Sequence, residues 1–443
     1  MVIMFRFTAL LSRSRGLAAF IALLVAITHP PAEAEPPVLE VAAATLQTPL
    51  TADAFTEAVR AHNASLGAMR QAVIAAVAQI KPSGSLEDPA VSLSAAPRTL
   101  GTGNGPSGDV EISQALPWWG TLDARTEEAR AEAEAASHDF EGLQLRLEAL
   151  ARGAFSDWVF VRHALDINAA NQTVLAELRN IARVRYTTGQ APQGDVLQAD
   201  VQRALLKQQR LELERQRIVV QARMNALLER SPQTAIAAPA ELPDLANLPA
   251  EEMLAQRALA HPQLQELEAQ ERAARAHEQL EEKERYPKFR ISAGYNNMWA
   301  DPTQRPTVGL SFTVPIDQDK YRAAIDAARA QARRTASMLE DQRSAMLADL
   351  AVAYAFAREA AQSLALYRDE FVPLARTTME VARNDYGSGR GDFLNVLAAE
   401  QHRLDTELGL ARMQSEYYRR LAELEQASGG GLFAPRSAEG ADR

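Results

Sequence analysis

From Thr121 to Tyr186 the chain runs without a proline and with only Gly142 and Gly153 to weaken it. As one helix at 1.5 Å per residue that run would extend about 100 Å, where an ordinary globular helix makes three to four turns. No compact core can bury a rod of that length. Within "RTEEARAEAEAASHDFEGLQLRLEALARGAFSDW" small and apolar residues recur at three-to-four spacing with Glu and Arg between them, the pattern of a coiled coil with alanine-rich seams. Composition agrees, since apolar residues make up 47% of the chain but aromatics only 6%, which suits long, thinly packed helices. Two readings are open at this point: a soluble coiled-coil scaffold, and a helix that folds back on a partner as a hairpin.

The ends of the long runs favour the hairpin. "RYTTGQAPQGDVLQA" begins at Arg185, and two hundred residues further on the chain reads "DYGSGRGDFLNVLAA". Without a gap, Tyr186 answers to Tyr386, Gly189 to Gly389, Asp195 to Asn395, Val196 to Val396 and Leu197 to Leu397. Gly189 and Gly389 can take positive φ and end a helix, and Asp195 or Asp392 can start the returning one. The repetition extends upstream, where "DPAVSLSAA" matches "YPKFRISAG" and "VEISQALP" matches "VGLSFTVP". A register held over that distance identifies two copies of one unit, with two hairpin tips at one end of the molecule.

The matched upstream segments alternate. Phe289, Ile291, Ala293 and Tyr295 oppose Lys288, Arg290, Ser292 and Asn296, and Val308, Leu310, Phe312 and Val314 oppose Gly309, Ser311 and Thr313. Val91 and Leu93, and Val110 and Ile112, alternate with polar partners in the first copy. A half-buried soluble sheet reads this way, and so does a membrane barrel, whose strands have this length and carry aromatics at the borders. Trp118, Trp119 and Trp299 lie at strand ends. Four strands cannot close a barrel, and open edges are not tolerated in lipid, so a barrel would need several chains; three copies give twelve strands.

The N-terminus predicts export. Arg6, Arg13 and Arg15 precede the apolar stretch Gly16–Thr28, and Ala32-Glu33-Ala34 supplies small residues for cleavage; the stretch is short of the roughly 20 residues of a spanning helix. The other reading is an uncleaved anchor. The expected organisation is a signal peptide over 1–34, a first repeat over 35–232 (helix, strands near 89–96 and 108–116, helical hairpin 121–229) and a proline-rich linker over 233–250. A second repeat follows over 251–431 (helix, strands near 287–297 and 306–315, helical hairpin 318–427), then a disordered tail over 432–443. The opening helix of each repeat is read as continuous, about Thr51–Ile80 and Pro249–Arg285.

Several function classes drop out. The chain has no cysteine, which removes disulfides, thiolate metal sites, cysteine nucleophiles and lipid attachment at an N-terminal cysteine. Its formal net charge is −10 and more negative without the arginine-bearing leader, with no basic patch to meet nucleic acid. "GNGPSG" fits GxGxxG, but a strand follows it where a helix should begin, so it reads as a loop. His277-Glu278 lacks the second histidine of a zinc motif, the seven histidines are scattered and the ten methionines form no ligand cluster. No catalytic, cofactor-binding or metal site is expected, and the chain is not read as an enzyme.

The paired tyrosine tips, the doubled strand–strand–long helix–helix unit and the prolines at the strand-to-helix joins resemble the TolC family of outer membrane factors over about residues 40–430. The resemblance implies an α+β homotrimer: four strands per protomer in a twelve-stranded barrel in the outer membrane of a Gram-negative bacterium, continued through the periplasm by an antiparallel α-helical coiled-coil barrel. It implies a periplasmic adaptor and an inner membrane pump as partners, outer membrane lipid around the strands, and no cofactor. "LPWWG" and "RYTTGQAPQGDVLQAD" look most like the heavy-metal and cation branch served by RND pumps; drug export or type I protein secretion on the same fold would differ only in partners. In this family hydrogen bonds between hairpins close the tip, which places Tyr386 opposite Asp195. The usual basic residue two positions past the second glycine falls at Gly391, with Arg390 adjacent as a substitute. An acidic ring would fall at Asn395 and Ala398, with Asp392 one turn earlier. Tyr186, Gly189, Val196, Leu197, Gly389, Val396 and Leu397 match the surface that meets the adaptor, although plain coiled-coil core explains the Val and Leu positions equally.

Overall fold

The computed structural model describes residues 49–96, 107–243, 248–297, 299 and 301–433, all within one compact unit. The expected signal peptide, residues 103–106 of the glycine loop and the last ten residues of the expected tail lie outside the described residues. In chain order the elements are α1 (Ala52–His62), α2 (Ala64–Ser83), β1 (Ala90–Ala96), β2 (Ser107–Leu116), α3 (Thr121–Thr187) and α4 (Gln193–Leu227). They continue with α5 (Glu251–Ala258), α6 (Pro262–Glu284), β3 (Lys288–Asn296), β4 (Pro306–Thr313), α7 (Gln318–Leu366), α8 (Val372–Gly387) and α9 (Phe393–Ser428).

The helix α3 is unbroken over 67 residues, which at 1.5 Å each is about 100 Å. It starts after Gly120, whose φ of 79° is left-handed. Ala129, Ala131, Ala133 and Ala135 are all buried; burial at every second position shows neighbours on two sides, and α2 and α6 both pack along α3. Further on, Phe155, Trp158 and Val159 join Phe55, Val59, Met224 and Tyr418 in a core shared by α1, α3, α4 and α9. The linker closes over this core: the Trp158 indole donates to Ala237 O at 3.1 Å, the Asn225 amide to Thr234 O at 2.8 Å, and Leu50 bridges Pro239 in parallel.

Both opening helices are interrupted where a continuous helix was expected. Asn63 leaves helical geometry and its side chain accepts from Ser65 N and Leu66 N at 3.0 and 3.4 Å, capping α2. His261 does the same for α6, accepting from Gln263 N at 3.1 Å with Pro262 behind it. The second long run also differs from the first. Pro373 has no N–H for the carbonyl of Asp369, and its ring would crowd that group in a regular helix. The chain widens into a π-turn over Tyr367–Phe371, with Val372 N donating to Tyr367 O, and α8 begins beyond it.

The chain turns back directly after α9, and Leu432 and Phe433, the first two residues of the expected tail, pack against the helices. Gly429, Gly430 and Gly431 all take positive φ and turn the chain back, so that Gly431 N and Phe433 N donate to the buried Glu425 carboxylate at 3.2 and 3.3 Å. Phe433 then lies over the Arg152 guanidinium at 4.0 Å and beside the Tyr418 ring at 5.2 Å.

The four strands form one antiparallel sheet in the order β1-β2-β3-β4. Its middle seam joins the two halves of the sequence, with Val110 opposite Tyr295 and Ile112 opposite Ala293. Because cross-strand partners share a face, Val91, Leu93, Val110, Ile112, Phe289, Ile291, Ala293, Tyr295, Val308, Leu310 and Phe312 line one side. That side is exposed; Val308 is 92% accessible and Leu93 73%. Every charged residue of the strands, Asp109, Glu111, Lys288 and Arg290, is on the other side. At the strand-to-helix join Trp118 stacks on Tyr286 at 4.7 Å. Among the described residues no helix is long and apolar enough to cross a membrane.

Candidate functional site

The two tyrosine motifs form the turns of two helical hairpins, α3–α4 and α8–α9. Both helices end alike: Gly189 and Gly389 take φ of 75° and 81°, and the next amide, Gln190 or Arg390, donates five residues back to Arg185 O or Asp385 O at 2.8 and 2.9 Å. This is the Schellman arrangement, and the left-handed position is one only glycine fills without strain. Just inside the turns the four helices share a core of Leu175, Leu178, Ala182, Ala199, Leu206, Met379, Phe393, Val396 and Leu404.

Across the hairpins the Tyr386 hydroxyl donates to Asp195 Oδ2 at 3.0 Å. Both residues are buried, at 4% and 8% exposure. The Tyr386 ring leans on Phe393 at 5.1 Å. On its other flank the Arg185 guanidinium sits over the ring, 4.5 Å from its centre, and donates to the Tyr386 carbonyl. Burial, then the bond to the Asp195 carboxylate, push the phenol up to about 12, so the hydroxyl is a fixed neutral donor. Further from the turn the hairpins are joined by Arg403, which donates to Asn171 Oδ1 at 2.6 Å while bracketing the buried Glu400. The Arg383–Glu177 ion pair at 3.4 Å adds a link nearer the turn.

The duplicated residues do not occupy equivalent surroundings. Tyr186 is 45% exposed and Leu197 57%, with Val196 half-buried and Gly189 and Gly389 open to solvent. Val396 and Leu397, matched to the adaptor surface by sequence, are buried in the four-helix core. Arg390 does not reach the opposite hairpin; it pairs at 3.5 Å with Asp385 of its own turn. Asp392 caps α9, accepting from Leu394 N at 3.3 Å, rather than projecting freely, and Asn395 lies exposed on the first turn of that helix. Arg185, Arg403 and Asn171 escaped the sequence reading, because arginine and asparagine inside a charged helix look like any solvated face. Among the described residues no cluster of histidine and carboxylate side chains is arranged to hold a metal ion.

No curated protein matches the sequence. Solved structures do match the fold. The outer-membrane channel OprN aligns with a TM-score of 0.72 at 21% identity, covering 86% of this chain and 90% of its own. CusC, whose conformational changes accompany transmembrane channel formation, gives 0.72 at 16% identity over 86% and 92%. The outer membrane protein VceC from Vibrio cholerae gives 0.72 at 17% identity over 86% and 96%. At these identities the likeness is one of fold: a helical barrel with a small antiparallel sheet. The model of the outer membrane efflux protein family matches residues 56–229 and 254–430, which is most of the sequence, and the chain belongs to that family.

Proposed function

We propose that this protein is the passive outer membrane conduit of a tripartite efflux system, closed from three copies of the chain, with the paired hairpin turns as its periplasmic gate. One observation carries the reading: a four-stranded sheet whose two edge strands have no partner among the described residues, with an exposed apolar side and all its charge on the other. Unpaired edges are not tolerated in lipid. Three copies pair β4 of one with β1 of the next and give twelve strands, apolar outward and charged toward a lumen. The helices support the same closure. On α4, Val201, Leu205, Leu211 and Ile218 are exposed, and on α7 and α8 so are Leu366, Leu374 and Val381, apolar surface that packing between copies would cover. The doubled unit then sets two hairpins per chain, six around the tunnel.

The cargo is supplied by an inner membrane pump through a periplasmic adaptor that meets the exposed turn residues Tyr186, Gly189, Leu197 and Gly389. The sequence flavour of "LPWWG" and of the first tip favours an RND pump and heavy-metal cations. The gate holds while Tyr386 and Asp195 bond across the hairpins, and adaptor contacts bias it open.

The test uses full-length protein extracted from outer membranes in detergent. A particle of three chains, rich in β signal and conducting in a planar bilayer, is the expected result; a water-soluble monomer overturns the reading. For cargo, a strain lacking the chain should lose tolerance to cationic metals. Unchanged metal tolerance with lost drug tolerance overturns that choice of substrate.

A further inference from the structure

Within this family's pattern a basic residue belongs two positions past the second turn glycine, and here that position is Gly391. Geometry accounts for the glycine. Its amide donates to Asp385 O at 3.0 Å, and a Cβ built there would lie 2.9 Å from Tyr386 N and 3.1 Å from the Asp385 carbonyl carbon. No side chain fits against that backbone. Arg390 is no replacement, since it turns to Asp385 of the same hairpin.

A cation nevertheless reaches the tyrosine, from the opposite side. Arg185 stands in the last turn of α3. Its guanidinium covers the Tyr386 ring at 4.5 Å, donates to the Tyr386 carbonyl and extends to within 3.7 Å of the place a Cβ on Gly389 would take. Its Nε is buried without a partner. A donor left unsatisfied costs free energy, so the side chain is held there by its other contacts and not by general solvation.

We propose that Arg185 is the cationic half of the gate latch: Asp195 holds the Tyr386 hydroxyl, Arg185 clamps the ring and main chain of the same residue, and both come from the first hairpin. The inference rests on the reading of the tips as a gate. It makes the latch one-sided. The position matching Arg185 in the second repeat is Asp385 and the one matching Asp195 is Asn395, so the second hairpin presents the tyrosine and duplicates neither of its clamps. Arg185 is a positioning residue in this scheme. It acts on closure only through Tyr386.

Planar-bilayer recordings of the full-length protein test this. Arg185→Ala removes a cation–π contact and a charge-assisted bond, and the open-to-closed ratio should rise about tenfold or more. Arg185→Lys, which keeps the charge but not the planar fork, should restore part of the closure. The diagnostic comparison is Arg185→Ala made in a Tyr386→Ala background, where its effect should shrink; an arginine that only stabilises the tip would act equally in both backgrounds, and that result overturns the inference. Thermal dissociation of the assembled particle serves as the folding control. If Arg185→Ala conducts like wild type while Tyr386→Phe with Asp195→Ala opens, the arginine assignment fails and the gate stands. If neither opens the channel, the gate reading fails with it.

Discussion

Tyr386→Phe removes one oxygen and nothing else from the latch. The ring stays against Phe393 and under Arg185, so the hairpins keep their packing and only the 3.0 Å bond to Asp195 is lost. A hydrogen bond to a charged partner is worth about 1.5–3 kcal/mol, and about 2 kcal/mol per latch is taken from that range. Burial, then the bond to Asp195, push the phenol up to about 12, so the donor stays protonated at neutral pH. In the proposed trimer, three latches breaking together would hold the gate by about 6 kcal/mol, or roughly 10⁴ in the open-to-closed ratio. The phenylalanine variant should therefore show open-channel current at neutral pH in single-channel recordings where the wild type is shut. pH supplies a second reading of the same bond. Because the folded tyrosine is shifted above its unfolded value, its contribution is fully present below pH 10 and is lost as pH rises through about 12. Wild-type closure should be flat between pH 7 and 9 and fail toward 12, while Tyr386→Phe should show no alkaline transition. Identical closed-state currents for the two proteins, with no alkaline opening of the wild type, would refute the latch.

Three further perturbations test neighbouring parts of the argument. Val308→Lys puts a charge on the apolar side of β4 and should cost about 2–4 kcal/mol if that side meets the bilayer core, seen as loss of heat-resistant trimer from the outer membrane fraction; Thr307→Lys, on the opposite side, should assemble normally. Gly409→Ala drives a Cβ to 2.3 Å from Tyr367 Cε1, an overpacking of about 1–3 kcal/mol, and should shorten the half-life of the particle at a fixed temperature, with Tyr367→Leu restoring it. Gly391→Arg supplies the basic residue usual at this point of the tip, yet should loosen the turn, since its Cβ meets the Tyr386 backbone at 2.9 Å; faster proteolytic nicking at residues 385–392 is the readout.

The periodic features of this fold were legible in the sequence because they are stated many times over. The α3 helix repeats its seam along its whole run, the strands repeat a two-residue alternation, and the tip motif occurs twice. The breaks were not legible, because each depends on a single side chain choosing backbone partners. Asn63 and His261 look like ordinary helix residues until their side chains are seen to accept from the amides two residues on. Pro373 falls inside the second long run, but whether a proline kinks, ends or widens a helix depends on the room around it; here the Tyr367 ring finds that room over Gly409. The Tyr386–Asp195 pairing came from likeness to a family. Arg185 had no such guide, and only the crossing of the hairpins shows which arginine meets the tyrosine.

The two halves of the chain are thus alike in sequence order and unlike in mechanics. The first long helix carries its hydrogen-bond ladder without interruption from strand base to turn. In the second, five residues of π-turn and a proline replace several regular bonds, and a closely packed glycine lies opposite the widened turn. Interrupted ladders are where helices bend. The tyrosine that carries the latch is on the interrupted side, whereas Asp195 and Arg185, which hold it, are on the straight one. A gate with both arms equally stiff would have to strain its coiled coil along the full length to open. If the tips are the gate proposed above, one stiff arm and one jointed arm predict that releasing Tyr386 swings the α8–α9 turn about the Tyr367–Phe371 segment while the α3–α4 hairpin stays in place. The Gly409→Ala variant bears on this directly: by jamming the joint it should slow opening in the Tyr386→Phe background, and an unchanged opening rate there would place the bend elsewhere.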